Sequence, residues 1–202
     1  MGKVVVDLTV SLDGFIAGRD DGPDLPLGRG GEDLFVWMNA GPEKNRVDKF
    51  LAPPDPSMIV VDEWMAASGA IISGRRTFDI ANGWKDGHPV DVPIFVLTHQ
   101  PPTEGEWSPQ VSFVTEGLDR ALKLAQEAAG DRTVSVSGSD IAQQLLRAGQ
   151  VDEIQVSVAP VLLGGGVRLF DDLGPDPIRL EQIRVIESDG VTHLRYRVLR
   201  DS

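Results

Sequence analysis

The chain has 202 residues, enough for one compact domain with a substantial core, and 41% hydrophobic with 25% charged residues is a globular balance rather than a disordered one. A net charge of −12 argues against a nucleic-acid partner, so any anionic ligand must be caught by a local cluster of donors. The lack of cysteine excludes disulfides and thiolate chemistry, and no apolar run is long enough to span a membrane, since Val156–Leu163 breaks at Gly164.

Lys3–Val6 enters a strand-like run with no basic-then-apolar leader, which makes the cytoplasm the expected compartment and residues 1–202 a single domain. Val4–Val10 reads as a strand, interrupted by Asp7 and Thr9. Gly18–Gly31, rich in Gly, Pro and Asp, reads as a long loop of the kind used as a lid. Residues 43–51 carry Val47, Phe50 and Leu51 at helical spacing, with Pro53–Pro54 as the stop, and a second short helix is expected from Asp62 to Gly69. Short strands follow at Ala70–Ser73, Pro93–Leu97 and Val111–Thr115. Leu118–Ala129 is a helix with Leu118, Leu122 and Ala125 on one face and Gly130 as its stop. Thr133–Val136 is a strand and 140–148 a helix, capped by Ser139 or Asp140 and closed by Gly149. Ile154–Val161 is a strand, and Arg179–Glu187 with Val191–Leu199 form a hairpin about Ser188–Asp189–Gly190. Alternating strands and helices followed by a hairpin imply an α/β mixed sheet with helices on its faces.

Three strand ends followed by Gly or small polar residues could carry chemistry. Gly74–Arg75–Arg76–Thr77 offers close backbone approach, two guanidiniums and a hydroxyl for phosphate, or simply a helix start with solvated arginines. Ser137–Gly138–Ser139–Asp140 is a second possible phosphate cradle or a capped helix. Thr98–His99 could meet a phosphate or be an exposed turn. Together they suit an extended dinucleotide across strand ends, although no G-x-G-x-x-G follows the first strand. Gly164–Gly165–Gly166 admits close approach of a ligand or another backbone, or is only a turn. Asp7 and Thr9 share the face opposite Val4, Val6, Leu8 and Val10; if that face meets the ligand, Asp7 is a proton-handling candidate. His88, His99 and His193 are far apart in sequence without a second ligand at metal-binding spacing, so no metal site is expected.

In order and spacing, several segments resemble the dihydrofolate-reductase-like family that includes the reductase (RibD C-terminal) domain of riboflavin-biosynthesis enzymes. They are Ser11–Ala17, Gly74–Phe78, Pro93–His99, Val114–Gly117, Val136–Ser139, Val151–Ile154 and Pro160–Phe170. The resemblance implies a dihydrofolate-reductase-like α/β fold: a central, mostly parallel eight-stranded sheet with flanking helices and a C-terminal antiparallel hairpin. It implies NADPH as cofactor, with Gly74, Arg75, Arg76 and Thr77 at its phosphates and Thr98 and His99 at the 2′-phosphate. Ser137, Gly138, Ser139 and Asp140 would meet the pyrophosphate, Thr115 would join this set, and Thr9 and Ile16 would lie by the nicotinamide. Asp7, Gly164 and Gly165 would face a small-molecule substrate, with Asp7 catalytic. Dihydrofolate reductases place a pterin-binding carboxylate near the position of Ser57–Met58 here, and riboflavin-pathway reductases typically carry lysine at the position of Asp7. The resemblance also implies an unusual cis peptide at Ser137–Gly138 and a homodimer, for which the apolar β-rich tail is the interface. The expected activity is hydride transfer to a heterocyclic or carbonyl-containing metabolite; the alternative is a catalytically silent NADP(H)- or ligand-binding module on the same fold.

Overall fold

The computed structural model describes residues 2–47 and 51–200. Among the described residues ten strands are formed: β1 (Val4–Ser11), β2 (Phe15–Ala17), β3 (Ser68–Gly74), β4 (Ile94–Leu97), β5 (Val111–Val114), β6 (Thr133–Ser137), β7 (Glu153–Ala159), β8 (Val167–Arg168), β9 (Leu180–Ser188) and β10 (Val191–Val198). Four α-helices accompany them: α1 (Asp55–Ala67), α2 (Arg75–Ile80), α3 (Leu118–Ala129) and α4 (Ser139–Arg147). Eight strands build one sheet in the order β5-β4-β3-β6-β1-β7-β10-β9, parallel as far as β7 and antiparallel at the β7–β10 and β10–β9 pairings. The expected fold class is therefore present, and β2 and β8 add a small antiparallel pair.

Strand alternation decides which residues reach which layer. Val4 and Val6 of β1, Ile72 of β3, Val136 of β6 and Ile154 and Val156 of β7 pack with Ala121, Leu122 and Ala125 of α3 and Ile141, Leu145 and Leu146 of α4. The intervening residues of the central strands face the other way and are mostly polar: Ser135, Asp7, Thr9, Glu153, Gln155, Ser157, His193 and Arg195. In-register pairing lines them up across the sheet as Thr9, Ser157 and His193 in one row and Asp7, Gln155, Arg195 and Arg184 in the next. This face, roofed partly by α1, is where the site forms.

The region before β3 departs from expectation. The helix expected over 43–51 is only a 3-10 turn at Glu43–Asn45, and positions 48–50 lie outside the described residues. The prolines read as a stop instead open a helix: Pro54 is the N-cap of α1 and Pro56 sits in its first turn, where a missing N–H costs nothing. The helix expected from Asp62 is the second half of α1, which starts seven residues earlier. A 3-10 helix at Gly31–Asn39, carrying the buried Trp37, follows the Gly18–Gly31 loop. That loop closes on itself through Gly18 N–H to Leu27 O and Arg29 N–H to Arg19 O. Helix α4 is capped by Gly138, not by Ser139 or Asp140, and no side chain caps it.

Leu145 is fully buried between α4 and the sheet. Leu145→Ala is expected to lower unfolding stability by about 2–5 kcal/mol in a urea titration, the range for an unfilled core cavity.

Candidate active site

A cavity of about 1130 Å³ opens over the polar face, along the carboxyl edge of the parallel strands. Four strand ends supply its rim: β3 leads into Gly74, Arg75, Arg76 and Thr77, β6 into Ser137, Gly138, Ser139 and Asp140, β4 into Thr98 and His99, and β5 into Thr115. Thr9 and Ile16 line it deeper in, beside Asp7. Thus the residues singled out at separate strand ends converge on one space, because parallel strands put all their carboxyl ends on one side.

Helices α3 and α4 start at Gly117 (φ 100°) and Gly138 (φ 96°), and neither start has a side-chain cap. First-turn N–H groups there have no side-chain acceptor as a cap, and the helix dipoles favour negative charge nearby. A side chain at Gly138 would place its Cβ 2.4 Å from Thr77 Oγ1, so only glycine lets the two turns approach this closely. The Ser137–Gly138 peptide is trans, unlike the cis bond implied by the resemblance.

The two arginines differ. Arg75 is committed to the scaffold: its Nε donates to Asp79 at 2.8 Å and its Nη1 to Gln100 O at 2.6 Å, a carbonyl that also accepts from Thr98 Oγ1 at 3.0 Å. Arg76 reaches across the rim to Asp21 of the Gly18–Gly31 loop, with Nε 3.2 Å from Oδ2. Asp21 has little exposed side chain, whereas Arg76 is more than half exposed. The loop is therefore tied to the rim through this guanidinium.

At the inner end, burial pushes Asp7 up from the ordinary aspartate value to about 7, only partly offset by the positive charges of Arg195 and Arg184. Those guanidiniums are engaged elsewhere. Arg184 makes a two-pronged pair with Glu63 at 2.6 and 2.7 Å, and Arg195 binds Glu153 at 2.7 Å and Glu63 at 3.2 Å. Burial would raise Glu153 as well, but hydrogen bonds from Lys3 and Arg195 overcome it and hold that carboxyl below its usual range. Asp7 is thus poised between acid and carboxylate near neutral pH.

The sequence model described as the RibD C-terminal domain matches residues 2–193. The chain belongs to the RibD C-terminal domain family. Among relatives, the uncharacterized protein YyaP of Bacillus subtilis (strain 168) is 24% identical over 204 residues, covering 96% of this chain and 94% of its own. A solved Shewanella sp. PV-4 structure, named for riboflavin biosynthesis, has a TM-score of 0.68 at 27% identity and covers 99% of this chain and 100% of its own. A Thermotoga maritima deaminase/reductase has a TM-score of 0.63 at 18% identity; the match covers 98% of this chain and 57% of that one, which shows the shared fold.

Within this RibD C-terminal domain, Gly164 and Gly165 do not line the cavity, contrary to their expected place at the substrate. The Ser11 hydroxyl and the N–H groups of Gly164 and Leu163 bind the Asp13 carboxylate, holding it below its usual range. Arg19 donates to Gly164 O at 3.1 Å, and a Cβ on Gly165 would strike its guanidinium. The glycines let loop and backbone pack closely, which is the scaffold alternative of their sequence pattern.

Sequence reasoning missed Ser57, Ser157, His193 and Trp37. Ser57, near the place where a dihydrofolate reductase would carry its carboxylate, is fully buried and hydrogen-bonded to His193 at 2.9 Å. Ser157 and Trp37 line the cavity, and Trp37 stands edge-on to His193 with ring centroids 5.0 Å apart. The available signal was the alternate polar set Glu153, Gln155 and Ser157 inside an apolar strand, the same pattern that drew attention to Asp7.

Since the folded state keeps a proton on Asp7 up to about pH 7 while the unfolded chain loses it near 3.8, Asp7 lowers stability as pH rises between those values. In thermal melts Asp7→Asn is expected to gain on the wild type progressively from about pH 4 to about pH 7 and to level off above. A difference that stays constant with pH would contradict the raised value.

Proposed function

We propose that this protein is a cytoplasmic NADPH-dependent reductase acting on a small heterocyclic or carbonyl-containing substrate. The observation that carries the reading is the meeting, in one cavity, of an anion-binding rim at the strand ends and an aspartate titrating near neutrality. The names of the relatives that mention riboflavin biosynthesis and a uracil reductase support a heterocycle as the substrate class.

When bound, NADPH supplies the hydride. The chain's own part is to hold, align and protonate. The uncapped starts of α3 and α4 would hold the cofactor's pyrophosphate, and Arg76, Thr98 and His99 its 2′-phosphate, while Arg75 keeps α2 against the loop after β4. Thr9 and Ile16 then flank the reacting ring, and the Gly18–Gly31 loop excludes water. As a carbon of a C=N or C=O bond receives hydride, Asp7 gives its proton to the adjacent nitrogen or oxygen and is reprotonated from solvent. Arg76 would exchange Asp21 for phosphate, so ligand entry would be linked to the loop's hold on this cation.

The test is a fluorescence titration with NADPH and, in parallel, NADH. Saturable NADPH binding with weaker NADH binding is expected, reduced about tenfold in Arg76→Ala or His99→Ala, in line with one charge-assisted hydrogen bond. Asp21→Ala, which frees Arg76, is expected to tighten it. Binding of neither nucleotide would overturn the reading.

The edge strand β9 leaves Leu180, Ile183 and Val185 exposed, and this edge is our proposed homodimer contact. Sedimentation should show a dimer that Val185→Lys converts to monomer; a monomeric wild type would refute it.

A further inference from the structure

Ser157 stands between the cavity and a buried imidazole. It lies between Thr9 and His193 in the register of β1, β7 and β10, is 3% exposed, and still lines the cavity wall. His193 is 1% exposed and is held at both ring nitrogens: Nε2 is 2.9 Å from Ser57 Oγ and Nδ1 is 2.8 Å from Ser157 Oγ. Burial, helped by the positive charge of Arg184, pulls its pKa down to about 4, so the ring is neutral and carries one N–H.

Ser57 Oγ donates to Ser188 Oγ at 2.8 Å, so what it offers His193 is a lone pair. Nε2 therefore bears the ring proton and donates to Ser57, which leaves Nδ1 bare. Among the described residues only the Ser157 hydroxyl can supply a proton to Nδ1. A hydroxyl has one proton, and with it committed Ser157 shows the cavity lone pairs alone.

We infer that Ser157 is a specificity-determining hydrogen-bond acceptor, oriented by the chain through His193, Ser57 and Ser188, that selects substrates presenting an N–H or O–H group at this wall. The inference rests on the reductase reading of the cavity and deepens it. A carbonyl or ring nitrogen lone pair set against Ser157 would leave two buried acceptors facing each other without a proton, whereas a ring N–H, amino or hydroxyl group would be satisfied. Among the described residues Trp37 Nε1 is also buried with no partner, so the same wall has a donor beside the acceptor.

The first measurement needs no ligand. Nitrogen NMR of protein labelled with ¹⁵N-histidine should show His193 neutral and in the Nε2–H form from about pH 5 to about pH 8. The Nδ1–H form, or a titration near the ordinary histidine value, would overturn the inference. The second measurement uses 2-pyridone and N-methyl-2-pyridone, small planar probes that differ in one N–H, in shift titrations of wild type, Ser157→Ala and Ser157→Thr. The wild type is expected to favour 2-pyridone about tenfold, Ser157→Ala to lose that preference and Ser157→Thr to restore it. No binding of 2-pyridone, equal binding of the two probes, or an unchanged preference in Ser157→Ala would refute the role. Should Ser157→Ala fail to fold, the wild-type tautomer and the Ser157→Thr preference decide. NADPH binding is followed in the same samples: its absence sinks the reductase reading alone, while the tautomer and probe results stand or fall by themselves.

Discussion

Across β6, β1, β7 and β10 the residues facing α3 and α4 are mostly valine, isoleucine and leucine, whereas those facing the other way are mostly serine, aspartate, threonine, glutamate, glutamine, histidine and arginine. A sheet with one such face must find partners for it, since each buried polar group left without one costs about 1–3 kcal/mol. Near β9 and β10 ion pairs do this, with Glu63 on α1 joining Arg184 to Arg195. One row along, a neutral imidazole between two hydroxyls does it. Where α1 and the 3-10 helix leave the face uncovered, it lines a cavity instead.

Asp7 and Glu153 show how fine the control is. They sit two register steps apart on neighbouring strands of the same face, and burial pushes both upward. Glu153 has Lys3 and Arg195 in direct hydrogen bonds, and these outweigh the burial cost. Asp7 feels Arg195 and Arg184 only at a distance, because both guanidiniums are spent on Glu153 and Glu63. One carboxylate therefore acts as a strut and the other keeps a proton available near neutral pH.

The outer rim uses backbone where the inner end uses side chains. Glycine at the starts of α3 and α4 leaves N–H groups uncapped, and at Gly138 it also lets Thr77 approach closer than any side chain would permit. In a protein of net charge −12, such local donors matter more than the overall field. The pairing of Arg76 with Asp21 gives the Gly18–Gly31 loop a stake in the same rim. A phosphate bound at this rim would compete with the loop carboxylate for one guanidinium, so binding would be coupled to loop position.

Local pattern was enough for α3 and α4, whose apolar spacing is strong and whose ends are marked by Gly130 and Gly149, and for the strand ends whose small residues proved to share one cavity. It was enough, too, to set Asp7 and Thr9 on the face opposite the apolar core, because side chains in a strand alternate whatever the partner. The prolines before α1 misled because proline stops one helix and opens another equally well, and only packing of Ser57, Val60 and Val61 shows which. Gly164 and Gly165 misled because close approach by a ligand and close approach by Arg19 ask the same of glycine. The joining of Ser57 and Ser157 through His193 was beyond the sequence, since these hydrogen bonds span 136 and 36 residues and depend on strand register and helix placement. The sequence by itself determined which residues alternate, cap and turn, for those preferences are local. Tertiary structure alone decided which buried polar groups meet, and so which proton sits on which atom, because that is a property of neighbours brought together by the fold.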